Sequence, residues 1–154
     1  MTQVSTPISK PVASQQESAA ELIEAFDMFD DWEDRYRFLI DAAKEMPPLP
    51  AEAKTEANRV HGCQSNVWML ASATAEGGET RIEFLADSDS VFTRGMVALV
   101  RKLYSGQTPR DILSFDIDGF LKQLELDQHL SMGRRNGLDG MVKRVKTIAH
   151  QHST

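Results

Sequence analysis

The hydrophobic period changes twice along the chain, and that alternation limits the fold more than any other feature. Between Ser65 and Thr74, Val67, Met69 and Ala71 fall on one side and Trp68 and Leu70 on the other; between Thr80 and Ala86, Ile82, Phe84 and Ala86 alternate inward. A period of two means extended chain covered on at least one face. The linking Ala75-Glu76-Gly77-Gly78 suits an antiparallel hairpin. Arg59–His61 adds a brief first strand, so a small three-stranded antiparallel sheet is expected.

On either side of this block the period is that of a helix. Leu22, Phe26 and Phe29 recur at three- and four-residue steps from Glu17 onward, and Trp32, Tyr36, Leu39 and Ala43 continue a second stripe to about Glu45, with Asp30 as the expected cap and Glu33 as its partner. Pro47-Pro48-Leu49-Pro50 cannot extend that helix and reads as a rigid connector. Residues 51–57 favour a short helical turn. Ser88 is the expected cap of a helix carrying Phe92, Met96, Leu99 and Leu103 and stopped by Gly106. Asp87 and Asp89 are read as capping charges rather than metal ligands, because no third ligand stands at a suitable spacing. Thr108-Pro109-x-Asp111 starts a short helix through Leu113. Ile117, Phe120, Leu121 and Leu124 mark another, and Leu138, Met141, Val142, Val145 and Ile148 line a C-terminal one. Sheet and helices together predict an α+β fold in one domain over residues 17–150. Residues 1–16, rich in Ser, Thr, Gln and Pro, read as a disordered N-terminal leader, and 151–154 as a tail.

The one cysteine, Cys63, stands where the chain enters the longer strand. Gly62 before it permits a sharp turn with positive φ, which would present the thiol on a loop. Arg59 and His61 lie close in sequence and could favour the thiolate, the nucleophilic form, scarce at neutral pH for a thiol of pKa about 8.5. Val67, Met69 and the helix stripes offer apolar cover, so the resting thiol is expected to be partly shielded. A single cysteine forms no intramolecular disulfide and supplies one of the several thiolates a cluster scaffold needs. His61, His129, His150 and His152 do not complete a convincing zinc set with it.

The run Asn58-Arg59-Val60-x-Gly62-Cys63-Gln64-Ser65-x-Val67-Trp68 closely resembles the signature of the SufE/CsdE family of sulfur-acceptor proteins. Further similarity lies in Asp31-Trp32-Glu33, Arg35-Tyr36, Asp87-Ser88-Asp89, His129-Leu130, Arg134 and Asn136-Gly137-Leu138, over roughly residues 20–149. Ser90 and Met132 depart from the family pattern without touching the thiol chemistry. The resemblance implies a compact SufE/IscU-like α+β fold and a function. Cys63 would accept persulfide sulfur from a cysteine desulfurase of the SufS/CsdA type, stimulate that enzyme, and relay the sulfur to an Fe-S scaffold or another acceptor. His61, Gly62, Gln64 and Ser65 would shape the loop or the thiol's environment, and Arg134 would help dock the desulfurase. The protein would be a sulfur-transfer accessory with a covalent persulfide intermediate rather than a stand-alone enzyme. It would need no cofactor of its own, the pyridoxal phosphate belonging to the partner.

Two other readings stay open at this stage: a cysteine hydrolase using Cys63 with His129 and Asn136, and a purely allosteric desulfurase partner. A formal net charge of −6 argues against a nucleic-acid surface. No run approaches the roughly 20 apolar residues of a membrane span. The N-terminus lacks the apolar core of a signal peptide, so the cytoplasm is the expected compartment. A homodimer is left open.

Overall fold

The computed structural model describes residues 14–62 and 65–152, with Glu76 described by its backbone alone. Cys63 and Gln64 therefore lie outside the described residues, as does most of the expected leader.

The first helix, α1 (Gln15–Asp27), starts two residues before the expected Glu17. Ser14 is the reason: its side chain accepts the Glu17 amide, while the Glu17 carboxylate accepts the Ser14 amide, closing a capping box. Leu22 and Phe26 are buried, as the stripe predicts, whereas Phe29 falls beyond the helix end and is half-buried. Helix α2 (Trp32–Lys44) is capped by Asp31, not Asp30. Asp31 has the extended backbone a cap needs, and its carboxylate accepts the Asp34 amide at 2.9 Å. The proline stretch leads into two single-turn 3-10 segments, Ala51–Ala53 and Glu56–Asn58.

The hairpin forms, with its link shortened from the expected residues 75–78 to Gly77-Gly78 because Ala75 and Glu76 still pair across it. Strand β1 (Val67–Glu76) pairs antiparallel with β2 (Glu79–Ser88), Val67 opposite Ser88 and Glu76 opposite Glu79. Gly77 and Gly78, at φ 61° and 83°, make the two-residue turn between them. The expected third strand does not form among the described residues. Arg59 makes an isolated bridge to Trp68, and the sheet is two-stranded. The 3-10 turn ending at Asn58 leaves too little extended chain before Gly62 for a ladder.

Helix α3 (Val91–Tyr104) is the core element, with Met96, Leu99, Val100, Leu103 and Tyr104 almost fully buried. It lies against α2, β2, α1 and the last helix. Its cap is Ser90, whose hydroxyl accepts the Thr93 amide, because Ser88 is still in β2. Two short helices follow as expected, α4 (Pro109–Ser114) and α5 (Ile117–Gln123). A third, α6 (Leu126–His129), was not legible in the sequence; Glu125, at φ 64°, turns the chain into it. Helix α7 (Met132–Gln151) closes the domain with Leu138, Met141, Val145 and Ala149 buried.

Candidate functional site: the supports of the Cys63 loop

The chain flanking Cys63 and Gln64 is joined at a closed base. The Val60 amide donates to the Val67 carbonyl at 2.8 Å, so the chain on either side of Cys63 is tied together. On the incoming side, Arg144 of α7 donates to the Arg59 carbonyl at 3.3 Å and the Ala57 carbonyl at 2.8 Å, and the Asn58 amide group donates to the Ala53 carbonyl. Charge-assisted bonds of this kind fix backbone more firmly than neutral ones. Gly140 of α7 permits the closest approach: a Cβ there would stand 2.8 Å from the His61 carbonyl oxygen and 3.4 Å from Val60 Cγ1.

The outgoing side is pinned as well. The Asn66 backbone and side-chain amides donate to the two oxygens of Asp89 at 3.1 and 2.8 Å, and the Asp89 amide donates to the Asn66 carbonyl at 3.3 Å. The Ser65 hydroxyl lies 2.7 Å from that of Thr93. Asp89 is thus a clasp for the loop, not the cap expected of it. Asp87 is likewise no cap, since it receives Arg94 Nε at 2.9 Å, Lys54 Nζ at 3.1 Å and the Ser88 amide at 2.8 Å. Burial pushes its carboxyl up, but the Ser88 amide and the two cations outweigh that and leave it below the ordinary carboxylate value. Lys54 also lies over Trp68, 5.5 Å from the ring centroid.

Beside the loop is a cavity of about 140 Å³, lined by Ser65 and Thr93 on one side and Arg134, Gly137, Leu138 and Met141 of α7 on another. Arg134 sits in the first turn of α7, its guanidinium 3.7 Å from the centroid of Phe92. Phe92 packs on Tyr36, and Tyr36 on Trp32. Trp32 stacks on the His129 ring at 4.0 Å, and the Tyr36 hydroxyl donates to the His129 carbonyl at 2.6 Å. Burial raises the Tyr36 phenol above its usual value, against the pull of the Arg134 charge. The signature loop and the C-terminal motif, far apart in sequence, thus adjoin one cavity.

His61 is largely exposed, its Nε2 3.2 Å from the Glu56 carboxylate. Gly62 has φ 95°, the region that favours glycine, with open space where a Cβ would go. Arg135, adjacent to Arg134, is committed to Asp118 and Asp139. Sequence reasoning did not single out Asn66, Arg144 or Gly140. Gly140 carried a signal all the same, because a glycine inside a helix costs about 1 kcal/mol against alanine and usually marks a close approach. Among the described residues no hydrogen bond joins His129 to Asn136, the pair a cysteine hydrolase would align. No group of three or more His, Cys, Asp or Glu that could hold a metal occurs among the described residues, and no helix is long and apolar enough to cross a membrane.

A small α+β domain with a base-closed loop at the entry to a two-stranded sheet is the class these observations define, and residues 20–149 match one such domain, the Fe-S metabolism associated domain. The chain belongs to the SufE family. It is 36% identical over 132 residues to an uncharacterized SufE-like protein of Rhizobium meliloti, covering 86% of this chain and 94% of that one. It is 38% identical over 132 residues to a second such protein, of Rhizobium etli, covering 86% and 89%. Among solved structures it is similar to that of a hypothetical protein of Thermus thermophilus, with a TM-score of 0.65, 25% identity, and 87% and 94% of the two chains covered.

Proposed function

We propose that Cys63 accepts sulfur from the persulfide of a cysteine desulfurase and passes it to a further thiol in iron-sulfur cluster assembly. The observation that carries this reading is the support of the loop: the chain flanking its one cysteine is tied at Val60–Val67, braced by Arg144 and clasped by Asp89 next to a cavity with a cationic rim. In the transfer step the Cys63 thiolate attacks the terminal sulfur of the donor persulfide. The new sulfur–sulfur bond forms as the donor's breaks, and the donor cysteine leaves as a thiolate, so no external oxidant or reductant is consumed. Release to the next acceptor repeats the displacement.

Arg134 is assigned to partner docking, with His61, Gly62, Gln64 and Ser65 shaping the loop. Ser90 and Gly133 line the cavity, and their chain neighbours Val91 and Met132 are exposed apolar side chains, which suits a surface that a partner covers. The compartment proposed for this chemistry is the cytoplasm. Incubation with a desulfurase, pyridoxal phosphate and cysteine, followed by intact-mass measurement, should add one or more sulfur atoms to wild type and none to Cys63→Ser. An unmodified wild type beside a desulfurase that is turning over would reject that donor. Arg134→Glu should weaken desulfurase binding at least tenfold while leaving the intrinsic alkylation rate of Cys63 unchanged. Undiminished binding would remove Arg134 from the docking surface.

A further inference from the structure

One edge of the sheet is open, and its chemistry differs from the rest of the surface. The Val67 carbonyl receives the Val60 amide on the side away from β2. Backbone groups alternate along a strand, so the N–H and C=O of Ala71, Ala73 and Ala75 also point away from β2. The two-residue turn agrees, since Glu76 opposite Glu79 is the pair that bonds across the hairpin. Beyond the Arg59 bridge no described segment pairs with this edge, and residues 72–75 are exposed. Native edges are normally guarded by a lysine, a proline or a bulge. Here Val67–Ala75 contains no ionisable residue and no proline, in a chain with 26% charged residues.

We propose that this edge pairs antiparallel with the same edge of a second copy, joining two hairpins into a four-stranded sheet about a two-fold axis at Ala73. The sequence Ala71-Ser72-Ala73-Thr74-Ala75 is symmetric about that residue apart from the exchange of serine for threonine. The two-fold therefore places Ala71 opposite Ala75, Ala73 opposite itself and Ser72 opposite Thr74, a favourable cross-strand pair. Each facing alanine pair exchanges two N–H···O bonds.

Charge follows the same symmetry. On the outer face Thr74 is next to Arg81 and Ser72 next to Glu83. Each row across the assembled sheet would read Arg81, Thr74, then Ser72 and Glu83 of the second copy, cationic at one end and anionic at the other. The register also carries the Gly77-Gly78 turn of each copy alongside Met69 of the other. Met69 borders a groove of about 430 Å³ between β1 and α7, lined also by Asn58, Leu70, Ala71, Arg144 and Ile148, and the Arg59 bridge to Trp68 ends the open edge just beyond it. Turn residues without side chains can enter such a groove beside a helix. The contact is small by the standard of permanent interfaces, so the association is reversible and concentration-dependent. Val67, where β1 leaves the Cys63 loop, would stand about 20 Å from the axis, leaving both loops open to partners.

The test is sedimentation velocity of the full chain over about 10 μM to 1 mM, the span a small interface covers. Wild type should shift toward twice the monomer mass as concentration rises. Ala73→Pro removes an amide that β2 does not use, and Thr74→Lys sets a second cation beside Arg81 at the junction; each should weaken association at least tenfold. An unchanged thermal melt of Thr74→Lys shows that the fold is kept. In a Cys63→Ser background, Ala73→Cys should form a symmetric disulfide under mild oxidation, whereas Thr80→Cys on the exposed start of β2 should not. A single monomeric species throughout the range overturns the proposal. So does a dimer that both variants preserve and that residue 73 does not cross-link.

Discussion

Replacing Gly140 by alanine sets two effects of known size against each other. A glycine-to-alanine change inside a helix stabilises by about 0.8–1.0 kcal/mol, because the folded state then costs less backbone entropy. At Gly140 the added Cβ would stand 2.8 Å from the His61 carbonyl oxygen, a backbone atom that cannot swing aside, and 3.4 Å from Val60 Cγ1. Either α7 or the loop base must give by a few tenths of an ångström, and overpacking of this kind costs about 1–3 kcal/mol. The balance lies between no net change and a loss of about 2 kcal/mol. At about 2–4 °C per kcal/mol for a domain of this size, the melting temperature should stay level or fall by up to about 8 °C. The displaced bonds are Val60 to Val67 and Arg144 to Arg59, so amide exchange at Val60 should quicken. Alkylation of Cys63 should rise several-fold and sulfur uptake should fall by about tenfold, since small misplacements of reacting groups are costly in rate. A melting temperature raised by about 2–4 °C, as propensity alone would give, together with unaltered alkylation and sulfur uptake, would refute the claim that α7 holds the loop.

Three further variants probe separate parts of the fold. Gly62→Val should slow sulfur transfer by at least tenfold while lowering stability by only about 1–2 kcal/mol, the cost of a left-handed backbone for a residue with a Cβ; equal loss of both would assign Gly62 to folding alone. Asp87→Asn should cost about 1.5–3 kcal/mol at pH 7 through the bonds to Lys54 and Arg94. Because the folded carboxyl titrates below its unfolded value, that contribution is present above the ordinary carboxylate range and is lost as pH falls through the depressed value. Denaturant titrations of wild type and variant should therefore draw together as pH falls through and below the ordinary carboxylate range, and a difference that stays constant there would count against the linkage. Tyr104 is fully buried, and its hydroxyl has no hydrogen-bond partner among the described residues. Tyr104→Phe should consequently raise stability by about 1 kcal/mol, measured by chemical denaturation; a loss of that size would mean the hydroxyl is satisfied.

What the sequence determined by itself was local and periodic. The change of period located both strands, the glycine pair located their turn, and the stripes from Phe92 to Leu103 and from Leu138 to Ile148 located the two helices that carry much of the core. These signals are legible because a side chain's face follows from its place in a repeat. Caps were legible only to within a residue or two, since Asp30 and Asp31, or Ser88 and Ser90, are equivalent until the backbone chooses which is extended. The third strand expected at Arg59–His61 is reduced to a single bridge, because three extended residues have no ladder unless tertiary contacts supply one. The assembly of the site belonged wholly to the tertiary structure. Arg144 is 85 positions from the Arg59 carbonyl it braces, and Asp89 is 23 from the Asn66 it clasps. Gly140 meets His61 only because α7 crosses the loop base. No periodicity records such contacts: each depends on where two elements cross, and that is settled by the packing of the whole core around α3.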